Sequence, residues 1–193
     1  AGINEGLQAI RFLVRHPSTA HFIATKLVRQ FVADKPDPRD VQTIAAAFYQ
    51  SQGDLAAVAR ALVALDTPFV TDDRKFRAPQ DYLFAIGRAL NMRQTPKALP
   101  RWLRELRHLP WGPLSPAGYP DTFSDWADPD SLSKRQEVAQ GLAKLGRRID
   151  AVSLARQVVE ARDPRALEMA LSSQSTNKEA FALLLASPDF QFR

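Results

Sequence analysis

The apolar residues of this chain recur at helical spacing. One stripe runs Ala20, Ile23, Ala24, Leu27, Val28, Phe31, a second Val41, Ile44, Ala45, Phe48, Tyr49, and a third Leu55, Val58, Ala59, Leu62, Val63. Positions i, i+3, i+4, i+7 and i+8 share one face of an α-helix, so each segment predicts an amphipathic helix with a buried side. Fainter stripes at Leu83, Ile86, Gly87, Leu90 and at Phe181, Leu184, Leu185 predict further helices. The starts are equally legible. His16-Pro17, Asp37-Pro38, Asp128-Pro129 and Asp163-Pro164 each place a proline where the first helical turn tolerates it, behind a residue able to accept from free N–H groups. Gly53-Asp54 ends one helix and caps the next, and Thr176 with Glu179 has capping-box spacing. The expectation is an all-α fold, a compact multi-helix domain of about eight or nine helices, with no strand.

Two stretches interrupt the pattern, 66–78 and the longer 109–127. The second contains GPLSPAGYPDTFSDW, which carries Pro113, Pro116 and Pro120, Gly112 and Gly118, and the aromatics Tyr119, Phe123 and Trp126, with Trp111 just before it. Its prolines forbid regular helix, and its glycines predict positive φ at two bends. Leaving each large aromatic in water forgoes roughly 2–3 kcal/mol of burial, so the segment reads as a structured loop folded onto helices or onto a partner. It either seals one end of the core or presents a binding surface. The domain expectation is one helical domain over 1–193, with a possible division into sub-layers 1–108 and 128–193 joined by the ordered loop 109–127. An echo relates LVALDTPF at 62–69 to LLLASPDF at 183–190. It predicts a shared way of stopping a helix, with phenylalanine folded back onto the last turn and a packed tail.

Composition narrows the function. At 193 residues, 45% apolar and 24% charged, the chain is long enough and apolar enough to bury a core. No apolar run is long enough to span a bilayer. The opening AGINEGLQAIRF lacks the pattern of a secretory signal. Absence of cysteine excludes disulfides, thiolate metal sites and cysteine nucleophiles. The net charge of +5 raises the question of nucleic acid, with RWLRELRH at 101–108 as the densest basic cluster and Arg147-Arg148 next. Acidic residues interleave the basic ones, so these read as solvated helix faces, and nucleic acid is not the expected partner.

Candidate chemistry is sparse. His16 and His21 are five residues apart, which turns them about 140° from each other on a helix, off the common face that a metal pair needs. No HExxH, GxSxG or phosphate-binding loop occurs. His16 reads most simply as a cap. Lys26 reads as a rim residue with its amine at the surface, though burial would make it reactive. Asp72-Asp73 lack paired histidines. Asp121, Asp125, Asp128 and Asp130 lack the spacing of a calcium loop, and turn and cap duties account for Asp128 and Asp130. No metal and no cofactor is expected.

The succession RHPSTAHFIATKLVRQFVAD, GDLAAVARALV, KFRAPQDYLFAIGRAL and GPLSPAGYPDTFSDW resembles the C-terminal part of the bacterial DUF1800 family, from about Leu7 to Phe190. The most specific pieces are His16-Pro17 with Lys26-Leu27, Gly53-Asp54, and the loop Gly112-Pro113, Pro116, Gly118-Tyr119-Pro120-Asp121 with Trp126. Thr67-Pro68-Phe69 departs from the acidic ending usual there. The resemblance implies a bacterial protein, a mainly helical fold, often export to the periplasm or beyond, and a longer parent chain of which this is a fragment or truncated member; the alternative location is cytoplasmic. It implies no established activity.

Three functional readings follow. The first is a binding or scaffold module of a bacterial envelope protein, using the Trp111–Trp126 loop with Tyr119 and Trp126 as anchors, Asp121 fixing the loop or a partner, and Trp111, His16 and Lys26 as further candidate binding residues. Its partner would be the N-terminal region of the full-length protein or another envelope protein. The second is part of an enzyme in which His16, Lys26 and Asp121 face a cleft completed by that region. The third is nucleic-acid binding through Arg101, Arg104, Arg107, Lys134, Arg135, Arg147 and Arg148.

Overall fold

The computed structural model describes residues 2–67, 74–113, 115–146 and 149–193. Asp72-Asp73, Pro68-Phe69 of the echo and Arg147-Arg148 lie outside the described residues. Within them are 12 helices and no strand. The helices form two compact units, Ala1–Lys75 and Phe76–Arg193. The boundary falls in the first interruption of the helical pattern, and the 109–127 loop belongs wholly to the second unit.

The first unit holds α1 (Ile3–Val14), α2 (Pro17–Phe31), α3 (Pro38–Gln50) and α4 (Leu55–Val63). Helices α2, α3 and α4 begin where their caps dictate. His16 Nδ1 accepts from the Ser18 amide at 3.2 Å, Asp37 from Arg39 at 2.7 Å and Asp54 from Ala56 at 2.9 Å. Each cap satisfies an N–H group that the helix itself leaves open, worth about 1 kcal/mol. Ala20, Ala24 and Val28 of α2 pack with Val41, Ile44 and Phe48 of α3 and Val58 of α4. Between α3 and α4, Gly53 takes a φ of +88°, and a Cβ there would lie 2.9 Å from Val14 Cγ1. Glycine is thus required on two counts, backbone conformation and space.

The second unit holds α5 (Pro79–Ala89), α6 (Leu99–Glu105), the single turn α7 (Phe123–Trp126), α8 (Pro129–Leu142), α9 (Ala151–Val158), α10 (Pro164–Ser172), α11 (Asn177–Ala186) and the short α12 (Pro188–Gln191). Phe181, Leu184 and Leu185 of α11 meet Val138, Ala139 and Leu142 of α8 at the centre of its core, with Tyr82 and Ile86 of α5 beside them. Thr176 and Glu179 form the capping box that opens α11.

The tail is packed, as its sequence predicts: Phe190 is buried and Phe192 forms an antiparallel bridge with Phe76. Its fastening is Arg135, which the nucleic-acid reading places on an outer basic face. The structure corrects that placement, because Arg135 is only 1% exposed. Its guanidinium donates to Gln191 Oε1 and to the Arg77 carbonyl oxygen, both at 2.7 Å. It also lies 4.4 Å from the ring centre of Phe76 and 5.1 Å from that of Tyr82. Burial lowers its pKa to about 10, so it stays charged at neutral pH, held by oxygen acceptors and π faces. The Arg77 amide donates to the Gln191 carbonyl oxygen at 2.8 Å, closing the same clamp. The Arg77 guanidinium reaches the Phe190 carbonyl oxygen.

Candidate functional site

Pro113, Pro116 and Pro120 end helical structure after α6, and the loop then builds itself around one polar contact. The Tyr119 hydroxyl donates to the Leu109 carbonyl oxygen at 2.5 Å. Gly112 makes that approach possible: a Cβ on it would lie 2.8 Å from both the Leu109 oxygen and the Tyr119 hydroxyl. Gly118, at φ +83°, makes the second bend, where its amide donates to the Ser115 carbonyl oxygen at 3.0 Å. The positive φ expected at Gly112 falls instead on its neighbour Trp111, at +60°.

Tyr119 and Trp126 enclose His108. The imidazole is 4.2 Å from the Tyr119 ring centre and 5.1 Å from that of Trp126. Its Nδ1 accepts from the Gln80 amide at 3.2 Å, which ties the loop's base to the start of α5. Partial burial lowers the His108 pKa, against a raising effect from Asp81 and with a smaller lowering one from Arg135, so the neutral ring is favoured. Trp126 is buried, and its indole N–H donates to the Pro120 carbonyl oxygen at 2.9 Å. Thr122 and Asp125 cap the single turn α7. Phe123 stacks on Phe192 at 5.7 Å and meets Phe76 edge-on at 5.1 Å, so the loop's far end rests on the clamped tail. Tyr119 and Asp121 are half-buried. Trp111 is different in kind, being fully exposed.

The other candidate residues separate by unit. His16 and Lys26 lie in the first unit, and Trp111, Tyr119, Asp121 and Trp126 in the second. His16 is occupied as the cap of α2, and its ring meets Phe12 edge-on at 6.0 Å. Lys26 is exposed, as the rim reading expects, and shares a shallow depression with His21, Thr25 and Arg29. The second-unit acidic residues have local duties. Asp128 caps α8 and pairs with Arg107; its bonds from Ser131, reinforced by that guanidinium, lower its pKa to about 2. Asp130 pairs with Lys134 at 3.6 Å. Among the described residues no cluster of three or more His, Cys, Asp or Glu could hold a metal ion, and no helix is long and apolar enough to cross a membrane. Of the basic residues in the nucleic-acid reading, Arg101 pairs with Glu105 at 3.4 Å, and Arg107 and Lys134 are paired as above.

Two features here escape sequence reading. His108 gives no motif, since its role depends on aromatics 11 and 18 residues further along. Arg135 had a usable signal: it stands three, four and seven residues before Val138, Ala139 and Leu142, on the apolar face of its helix.

A family model described as a protein of unknown function, DUF1800, matches residues 1–192. No curated protein and no solved structure matches the chain.

Proposed function

The chain belongs to the DUF1800 family, and from that premise we propose that it is a binding module which docks a protein partner through the 109–127 loop. Trp111 carries this reading. It is 100% exposed at a φ of +60°, on a loop whose other large aromatics are engaged with their own unit. A bulky side chain in the left-handed region costs about 1–2 kcal/mol, and an exposed indole forgoes roughly 2–3 kcal/mol of burial. Among the described residues no contact of the Trp111 side chain offsets either cost. A partner pocket that takes the indole would recover the second, and tryptophan is a frequent centre of protein interfaces. Tyr119 and Trp126 are then braces that hold the loop in shape, with Trp111 as the anchor. Strained, exposed residues on rigid supports are the form that pre-organised recognition takes.

Following the family resemblance, the first partner to test is the N-terminal region of a longer DUF1800 protein, in a bacterial envelope setting. The chain is immobilised as wild type and as Trp111→Ala, and capture of that region is measured beside melting curves. The reading expects capture by wild type, a loss of at least ten-fold in the variant, and unchanged melting. Equal capture by both proteins overturns the assignment of Trp111. No capture by either removes this partner.

A further inference from the structure

We propose that the second unit carries a binding site for a small amphipathic anion, a molecule with one carboxylate and an apolar body, in the cavity between α5, the 90–98 turn and α6. The proposal is independent of the docking loop.

The cavity has a volume of about 610 Å³, within the 300–1,000 Å³ range usual for small-molecule sites. Its floor is apolar and comes from three separated helices: Leu83 and Ile86 of α5, Trp102 of α6 and Leu142 of α8, all buried. The 90–98 turn forms one wall. Asn91 bends it at φ +49°, and Met92, which follows, lies against the Gly87 backbone. Glycine inside α5 costs the helix roughly 0.5–1 kcal/mol relative to alanine. Its missing side chain leaves the space open: a Cβ would find only Met92 Sδ, at 4.0 Å.

The charges at the mouth have one sign. Arg88 and Arg93 line the cavity, with Asn91, Gln94 and Thr95 as neutral polar neighbours and no acidic residue. Several other basic side chains of this unit are engaged: Arg107 with Asp128, Arg156 with Glu168, Arg193 with Asp81, and Arg135 with the tail. Arg88 and Arg93 have no ion pair among the described residues. Guanidinium groups bind carboxylates by paired, charge-assisted hydrogen bonds. An apolar floor beneath two guanidinium groups is complementary to a single-headed anion with a hydrocarbon or aromatic body. A cation meets repulsion there, and a bare inorganic anion leaves the floor uncovered.

The test is titration calorimetry on the full chain with sodium dodecanoate, below its micellar concentration. Dodecanol, dodecyltrimethylammonium and inorganic phosphate serve as controls for charge and for tail. Two variants are compared, Arg88→Gln with Arg93→Gln together, and Gly87→Leu, which places a side chain in the cavity. Melting curves accompany each. The proposal expects saturable dodecanoate binding at one per chain, weaker binding of the alcohol, and none of the cation or of phosphate. It expects the double variant to bind about ten-fold more weakly or worse, with melting unchanged, in line with losing a charge-assisted contact. It expects Gly87→Leu to abolish binding. No saturable binding by wild type overturns the proposal. So does dodecanoate binding that persists in both variants, which would place the ligand outside this cavity. Equal binding of the cation overturns the charge argument, and phosphate binding as tight as dodecanoate overturns the need for the tail.

Discussion

The two units solve the problem of apolar surface differently. In the second, core residues from α5, α6, α8, α9, α10, α11 and α12 meet around one centre, and even the loop aromatics Trp126 and Phe123 find neighbours. The first buries a smaller set from α2, α3 and α4, and leaves large apolar side chains outside. Helix α1 has no buried residue, although Ile3, Leu7, Ile10 and Val14 follow one another on one of its faces. Phe31, Leu55 and Val63 are also exposed, and they line an apolar groove between α2 and α4. A small set of helices has too little interior for every apolar stripe it carries. The difference teaches that similar helical periodicity can yield a closed unit or an open one, depending on how many helices converge.

The sharpest break of this comparison is to express the units separately. Residues 76–193 should melt cooperatively alone, whereas 1–75 should bind a hydrophobic dye and melt broadly. A cooperative, dye-free 1–75 would show that its exposed stripes carry no penalty. Next in size is the clamp of the closed unit. Arg135→Met leaves Gln191 Oε1 and the Arg77 carbonyl oxygen without their donor, and should lower stability by about 3 kcal/mol in denaturant titrations. Trp126→Ala should cost a comparable ~3 kcal/mol, because it empties a packed position. In the open unit, Gly53→Ala should cost about 1–2 kcal/mol, read in the same way, since it adds a Cβ against Val14 at a positive φ.

The smallest effects separate brace from anchor within the loop. Trp111→Gly should raise stability by up to ~1 kcal/mol, by relieving the positive φ, while it removes partner capture. Opposite signs in the two measurements would mark a residue kept for recognition. His108 gives a pH signature. Its folded pKa lies below the unfolded value near 6.5, so the unfolded chain binds more protons in the window between them. Stability should therefore fall as pH drops from 7 through that window and then level off. The His108→Gln variant should show a flatter profile over the same range. A profile that rises towards acid pH would contradict the burial argument.

How much of this was readable beforehand depends on the range of each interaction. Caps act across two or three residues, so His16, Asp37, Asp54, Asp128, Asp163 and Thr176 mark their helices in the sequence alone. Stripes identify which face is buried but not how far around it the neighbours reach. Ala20, Val41 and Val58 are inside, whereas Phe31, Tyr49 and Val63 on the same stripes are not. The structured character of 109–127 was legible from its prolines and aromatics. Its division of labour was not, because Trp126 is set apart from Trp111 by contacts with Pro120, His108 and Tyr119. Arg135 looked like one more basic residue because charge dominates its identity, while its position on the helix governs its place. The cavity beside Arg88 and Arg93 has no local signature, since its floor is gathered from helices up to 59 residues apart, Leu83 to Leu142.

The clamp around Arg135 also sets an order of events during synthesis. The described core of the first unit draws on residues 20–65, so that unit can begin to form while translation continues. The second cannot close on the same schedule. Gln191 Oε1, one of the two hydrogen-bond acceptors of its buried cation, is absent until that residue has been made. Until then the guanidinium has the Arg77 carbonyl oxygen and the Phe76 and Tyr82 rings as its partners. A chain cut just before that residue therefore keeps the helical core of the second unit but lacks one acceptor of its buried guanidinium.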